Sequence, residues 1–225
     1  MRIVLVLRSG GDFDFNDVEL LYHHIKKHNP KAEVICLNDQ APCSYSIGEL
    51  KVIKMPYKWK GWWSKLNLFS PEMKKYRPFL YMDLDTIVLG EIPQPPDRFI
   101  GVKSFINKRF TSTMMWMPKE CEVIDKIWQE QKRQKNNNPK QRMDYLIREF
   151  VKPREYLQDY INLTSFKPNK RWLLKKPDAS VVCFHGKPRI WEAANSVDWV
   201  KEYIKEWKKC QNTIQVGEKE LKKPQ

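Results

Sequence analysis

The chain opens on a short apolar run, residues 2–7 (RIVLVL), followed by the turn signal Ser9-Gly10-Gly11. A run of that length and β-branched content predicts a buried strand. From Asn16 the period changes: Val18, Leu21, Tyr22 and Ile25 recur at three- and four-residue spacing until Asn29-Pro30. This predicts an amphipathic helix, opened by a capping box of Asn16 and Glu19 and stopped by the proline. A second apolar run, residues 33–39 (EVICLND), ends in Asn38 and Asp39. Strand, helix and strand in that order predict an α/β domain with a mostly parallel sheet flanked by helices. Ligands bind such sheets at the carboxyl ends of the strands, where Arg8, Ser9 and Asp39 fall.

The most informative pattern lies at residues 79–90 (FLYMDLDTIVLG). It reads as one buried strand closed by Gly90, and it contains two carboxylates, Asp83 and Asp85. Side chains alternate along a strand, so both would point to one face. Two like charges in an apolar layer are costly unless a positive charge lies between them, and carboxylates suit a hard divalent cation such as Mg2+ or Mn2+. The alternative is a solvated strand end. Further along, FIGVKSF and TSTMMWMP predict strands, while residues 120–134 and QRMDYLIREFV, which carries Asp144, predict helices. ASVVCFHGKPRIW, residues 179–191, predicts a buried strand running into a polar turn. A last helix opens at Ser196 with Trp199, Val200, Tyr203, Ile204 and Trp207 on one face. Core packing is the expected use of that face, and peripheral contact with a membrane surface is the alternative. Residues 211–225 read as a polar tail, leaving a single domain over 1–210.

Composition narrows the class. Hydrophobic residues make up 41% of the 225, with nine Trp, which supports a packed core rather than disorder. No window is apolar enough for a membrane helix, and the opening run is too short for a secretory leader. Five cysteines without a C-x-x-C pair predict reduced thiols of a cytoplasmic protein, not a disulfide frame. The net charge of +14 fits either a lysine-rich surface or a polyanionic partner: a nucleotide diphosphate, nucleic acid or an acidic membrane. Lys51, Lys54, Lys58, Lys60 and Lys65 alternate with Tyr57, Trp59, Trp62 and Trp63. Such mixing holds nucleic acid in some proteins, but packed rings under lysine stems are the expected use here. Lys65 stands out because it starts the helix-like stretch that leads into the aspartates.

His185 follows the predicted strand 181–184, so it too sits at a strand end. Imidazole is a ready ligand for Mn2+. Gly186 allows close backbone approach, and Lys187 and Arg189 place two cations beside the histidine. A metal ligand with two cations suits a pyrophosphate leaving group. A structural histidine with solvated neighbours is the alternative.

With these segments in order, the chain resembles the GT-A glycosyltransferases, near the family 8-like and related bacterial and phage enzymes. The resemblance spans roughly residues 1–195 and rests on the first strand with its SGG turn, EVICLND, GWWSKLNLF, YMDLDTIV, TSTMMWMP, NLTSFK and FHGKPRIW. It implies a single GT-A, Rossmann-like domain that transfers sugar from a nucleotide-diphosphate sugar, a UDP-sugar foremost. The acceptor would be a hydroxyl on a glycan or lipid-linked glycan. By the same resemblance Asp83, Asp85 and His185 would bind Mn2+ or Mg2+. Leu7, Arg8, Ser9, Asp39, Leu84, Gly186 and Lys187 would contact the donor. Lys65 would face the donor, and Asp144 would face the reacting sugar or acceptor. Thr111-Ser112-Thr113 and Asp144-Tyr145 depart from the family's usual Asn-Ser-Gly and Asp-Gln, changes that bear on sugar and acceptor contacts.

Two other readings stand. A haloacid-dehalogenase-like phosphatase also carries D-x-D on a strand, but it needs Thr where this chain has Ile87. A basic nucleic-acid-binding protein, or a glycosyltransferase acting on a modified base in DNA, would explain the positive charge.

Overall fold

The computed structural model describes residues 1–41, 44–133, 143–151, 155–168 and 171–221. Its strands are β1 (Arg2–Leu7), β2 (Glu33–Asn38), β3 (Ser44–Ile47), β4 (Leu50–Lys54), β5 (Phe79–Met82), β6 (Thr86–Val88), β7 (Ile100–Lys103), β8 (Phe110–Met117), β9 (Leu163–Ser165) and β10 (Val181–Cys183). Its α-helices are α1 (Phe15–His28), α2 (Glu122–Arg133), α3 (Met143–Phe150), α4 (Ile190–Ala193) and α5 (Asp198–Leu221). Two 3-10 stretches, Gly61–Phe69 and Pro71–Tyr76, precede β5.

Seven strands form the main sheet in the order β3-β4-β2-β1-β5-β8-β7. The four inner strands β4, β2, β1 and β5 pair in parallel, whereas β3 and β8 run against their neighbours. Because β7 is antiparallel to β8, it runs with β5. The sheet is therefore mostly parallel in direction, as the opening strand-helix-strand pattern predicts. A smaller sheet, β6-β10-β9, lies against it.

Strand alternation divides the core. Ile3, Leu5 and Leu7 enter one apolar cluster with Val18, Leu21 and Ile25 of α1 and with Val88 and Val181 of the small sheet. Val4 enters the opposite cluster with Trp63, Leu66 and Phe69 of the 3-10 stretch and with Ile124, Trp128 and Ile147 of α2 and α3. A third cluster lies on the outer side of the small sheet, where Ile87, Val182 and Phe184 meet Val200, Tyr203, Ile204 and Trp207 of α5. The apolar face of α5 is thus core, not a membrane-binding surface. The helix continues past residue 210 to Leu221, so the segment expected as tail begins as helix.

Three local expectations are corrected. The helix cap is Asp14 with Asp17, not Asn16 with Glu19: Asn16 N–H donates to Asp14 Oδ1 at 2.8 Å and Asp14 N–H to Asp17 Oδ2 at 2.8 Å. Asp14→Ala should cost about 1 kcal/mol of stability, read from urea denaturation midpoints. Lys65 does not start a helix but sits mid-way in the first 3-10 stretch. The run 79–90 is not one strand. It is β5, a turn at 83–85, and β6 in the other sheet. A continuous ladder would have kept the two carboxylates in an apolar layer, and the chain changes sheet at that point instead. Among the described residues the cysteines are free. Burial pushes the Cys36 thiol up to about 12, which keeps it inert. Cys43 lies outside the described residues.

Candidate active site

The turn between β5 and β6 is tied to both sheets. Asp83 N–H donates to Thr113 O of β8 at 2.9 Å, while Asp85 O accepts from Phe184 N–H, just after β10, at 2.9 Å. Asp83 and Asp85 are thus brought to one place by a change of sheet rather than by alternation along a strand. Asp83 Oδ1 meets Lys65 Nζ at 2.6 Å and also accepts from the Tyr81 hydroxyl. Burial pushes the Asp83 carboxyl up, against the pull of the Lys65 ammonium. Asp85 is buried, and its Oδ2 accepts from Arg189 NH1 at 2.9 Å and, at 3.4 Å, from Gly186 N–H.

Lys65 is held by its neighbours. The Asn67 side chain is fully buried and closes the loop ahead of it: Oδ1 accepts from Tyr57 N–H at 2.9 Å, and Nδ2 donates to Ser64 O at 2.8 Å and Tyr57 O at 3.1 Å. Tyr57 and Trp59 pack inward and Trp63 is buried, while Lys58 and Lys60 are exposed. That is the packed-loop arrangement, although Trp62 is exposed.

The register Cys183↔Thr86 sets His185 beside Asp85. His185 has φ +53 and Gly186 φ +78. A histidine in the left-handed region costs on the order of 1 kcal/mol or more, and such conformations gather at functional sites. Lys167, which follows β9, donates from Nζ to His185 O at 2.7 Å and to Lys187 O, holding the loop from beneath. Burial lowers the His185 imidazole, opposed by the charge of Asp83. Lys187 reaches outward, pairing with Glu192 at 3.1 Å, so its ammonium faces away from Asp85. Arg189 takes the inner position: NH2 pairs with Asp12 at 2.6 Å, NH1 pairs with Asp85, and the guanidinium lies 4.5 Å over the Phe13 ring.

Two further groups of predicted residues lie along the same sheet edge. Asp39, after β2, accepts from Ser9 N–H at 2.8 Å, from the Ser9 hydroxyl, and from Arg8, whose Nε donates to Trp59 O at 3.0 Å. Leu7 and Leu84 are buried in the first core cluster, which leaves their backbones for any ligand contact. On the β8 side, Asp144 accepts from Ser112 N–H at 2.9 Å and, at 3.4 Å, from the Thr111 hydroxyl. It lies beside the strand that Asp83 joins. Sequence reasoning missed Lys167 and Asn67. NLTSFK and GWWSKLNLF carry them, but nothing in their spacing shows which backbone groups they bind.

Two carboxylates and an imidazole form a donor set suited to Mn2+ or Mg2+. His185 Nε2 is buried with no hydrogen-bond partner, the kind of atom a cation would satisfy. The donor types suit such an ion, although in this structure the ligand atoms of the three are not drawn into one ion-sized group. Lys65 and Arg189 neutralise the two carboxylates in this arrangement.

No family model and no curated protein matches the chain. Among solved structures it is similar to the apo form of the glycosyltransferase GlyE of Streptococcus pneumoniae TIGR4, with 13% identity and a TM-score of 0.58 over 93% of this chain. It is likewise similar to the galactosyltransferase LgtC solved with donor and acceptor sugar analogs, at 13% identity and TM-score 0.52, covering 92% of this chain and 96% of that one. The bifunctional glycosyltransferase WbbM matches at 9% identity and TM-score 0.59 over 91% of this chain. The chain spans 63% of the GlyE structure and 51% of the WbbM structure. A mixed sheet flanked by helices, together with the structural similarity to three glycosyltransferases, establishes the GT-A fold for this chain.

Proposed function

We propose that this protein is a metal-dependent glycosyltransferase. It takes a sugar from a nucleotide-diphosphate sugar, with UDP-sugars first among them, and delivers it to a hydroxyl of a glycan or lipid-linked glycan. The observation that carries this reading is the meeting of the 83–85 turn, the 185–189 loop and Lys65 at the carboxyl edge of the sheet. The LgtC structure holds donor and acceptor sugar analogs, which supports a donor and a glycan acceptor for the shared fold. No described helix is long and apolar enough to cross a membrane.

Asp83, Asp85 and His185 would hold Mn2+ or Mg2+. When bound, the ion supplies Lewis-acid stabilisation of charge on the diphosphate. Lys65 and Arg189 then exchange their carboxylate partners for phosphate oxygens and counter the charge that builds as the nucleoside diphosphate departs. Gly186 leaves the backbone open to the phosphates, and Lys167 keeps the loop in position. The Ser9–Asp39 pair fixes the end of β1 where the nucleoside would lie. Asp144, anchored on Ser112, would face the reacting sugar or the acceptor.

The test is donor hydrolysis across a panel of UDP-, GDP- and ADP-sugars with and without Mn2+. One nucleotide class should be hydrolysed, and only with the metal. Acceptors are then compared among glycans, lipid-linked glycans and DNA. Failure to turn over any donor in either condition would refute the assignment.

A further inference from the structure

We propose a second metal site, for Zn2+ or a similar late first-row ion, between α1 and α5 and built from His23, His24 and Glu206. It does not depend on the glycosyltransferase reading, because it lies on different elements from the 83–85 turn and the 185–189 loop. The ligand atoms of these three residues all lie within 4.8 Å of one another. Tetrahedral zinc with bonds of about 2.1 Å holds its ligands about 3.4 Å apart, so modest rotamer changes complete the set. Two imidazoles and one carboxylate select zinc-like ions over Mg2+.

The surroundings are those of a metal centre. His24 is buried, and its Nε2 lies 2.9 Å from Tyr203 O. Donation to that carbonyl places the proton on Nε2 and leaves Nδ1 as a lone pair. Metal-bound histidines commonly have such a backbone partner on the other ring nitrogen. The same ring stacks on Tyr203 with centroids 3.5 Å apart, which fixes its plane. His23 Nε2 is buried without a hydrogen-bond partner, and its ring meets His24 edge-on at 4.8 Å. Burial lowers both imidazoles, His24 to about 3, a shift toward the neutral form that binds metal. Glu206 is paired with Lys27, whose side chain is 43% exposed and free to swing into solvent. Lys27 therefore acts as a competitor that the ion displaces. Three protein ligands would leave a fourth position open. The site would clamp α5 onto α1, behind the small sheet that carries the His185 loop.

The test titrates the chelator-treated full chain with Zn2+ by calorimetry and records Co2+ absorption for tetrahedral coordination. An Asp83→Asn, Asp85→Asn background removes the first candidate site. One equivalent of zinc should bind in that background and raise the melting temperature. His23→Gln and Glu206→Gln should each weaken binding by at least about tenfold and abolish the Co2+ band, with unchanged circular dichroism. Lys27→Met should tighten binding. Absence of uptake, or uptake that survives either the His23 or the Glu206 change, would overturn the site.

Discussion

Asp85→Asn is expected to lower sugar transfer on the order of 10²- to 10³-fold while leaving the protein folded. The amide keeps the shape of the carboxylate and removes its charge. In the structure that charge holds Arg189 at 2.9 Å and receives Gly186 N–H at 3.4 Å. Arg189 retains Asp12 as a partner at 2.6 Å, so the loop has a second anchor and the fold is spared. The loss should fall on turnover and on the Mn2+ dependence together, since Asp85 belongs to the proposed donor set. Donor hydrolysis measured against Mn2+ concentration, with circular dichroism as the folding control, checks it. Wild-type turnover in the variant would rule out a role for Asp85 in holding the ion.

Phe184→Ala has the opposite profile, with an expected loss of about 3–5 kcal/mol of stability. The ring is fully buried and lies 4.1 Å from Phe166, nearly parallel to it at 7°. Ile190, Val200 and Tyr203 belong to the same cluster. A cavity there removes contacts from a layer that also supports α5 and the residue before His185. Since domains are stable by only about 5–15 kcal/mol, the loss is a large share of the total. Urea denaturation measures it. Phe184→Leu, which refills most of the volume, should recover much of the stability.

These two effects also mark what sequence reading can reach. Short continuous apolar runs located β1 and β2, which are covered on both faces, and helical spacing located α1, which buries one side. Asp83 and Asp85 stood out because two carboxylates in an apolar run are chemically conspicuous, and His185 because it ends an apolar run beside two cations. How they meet was not legible: the run 79–90 reads as one strand, and only the pairing of β6 with β10 shows the break. Asp14 was passed over as the cap because Asn16 and Glu19 satisfy the same pattern two residues later. Lys167 and Asn67 act through backbone carbonyls and amides distant in sequence or within a 3-10 loop, contacts that residue type alone does not reveal. The outward turn of Lys187 and the inward turn of Arg189 were not legible either: they follow a left-handed stretch in which Gly186 is the expected residue but His185 is not.

The tripeptide Asp83-Leu84-Asp85 is anchored at one end to the seven-stranded layer through Thr113 and at the other to the three-stranded layer through Phe184. The two acidic groups therefore ride on separate slabs. An ion held by both, as proposed above, would tie one layer to the other in addition to the apolar cluster they already share.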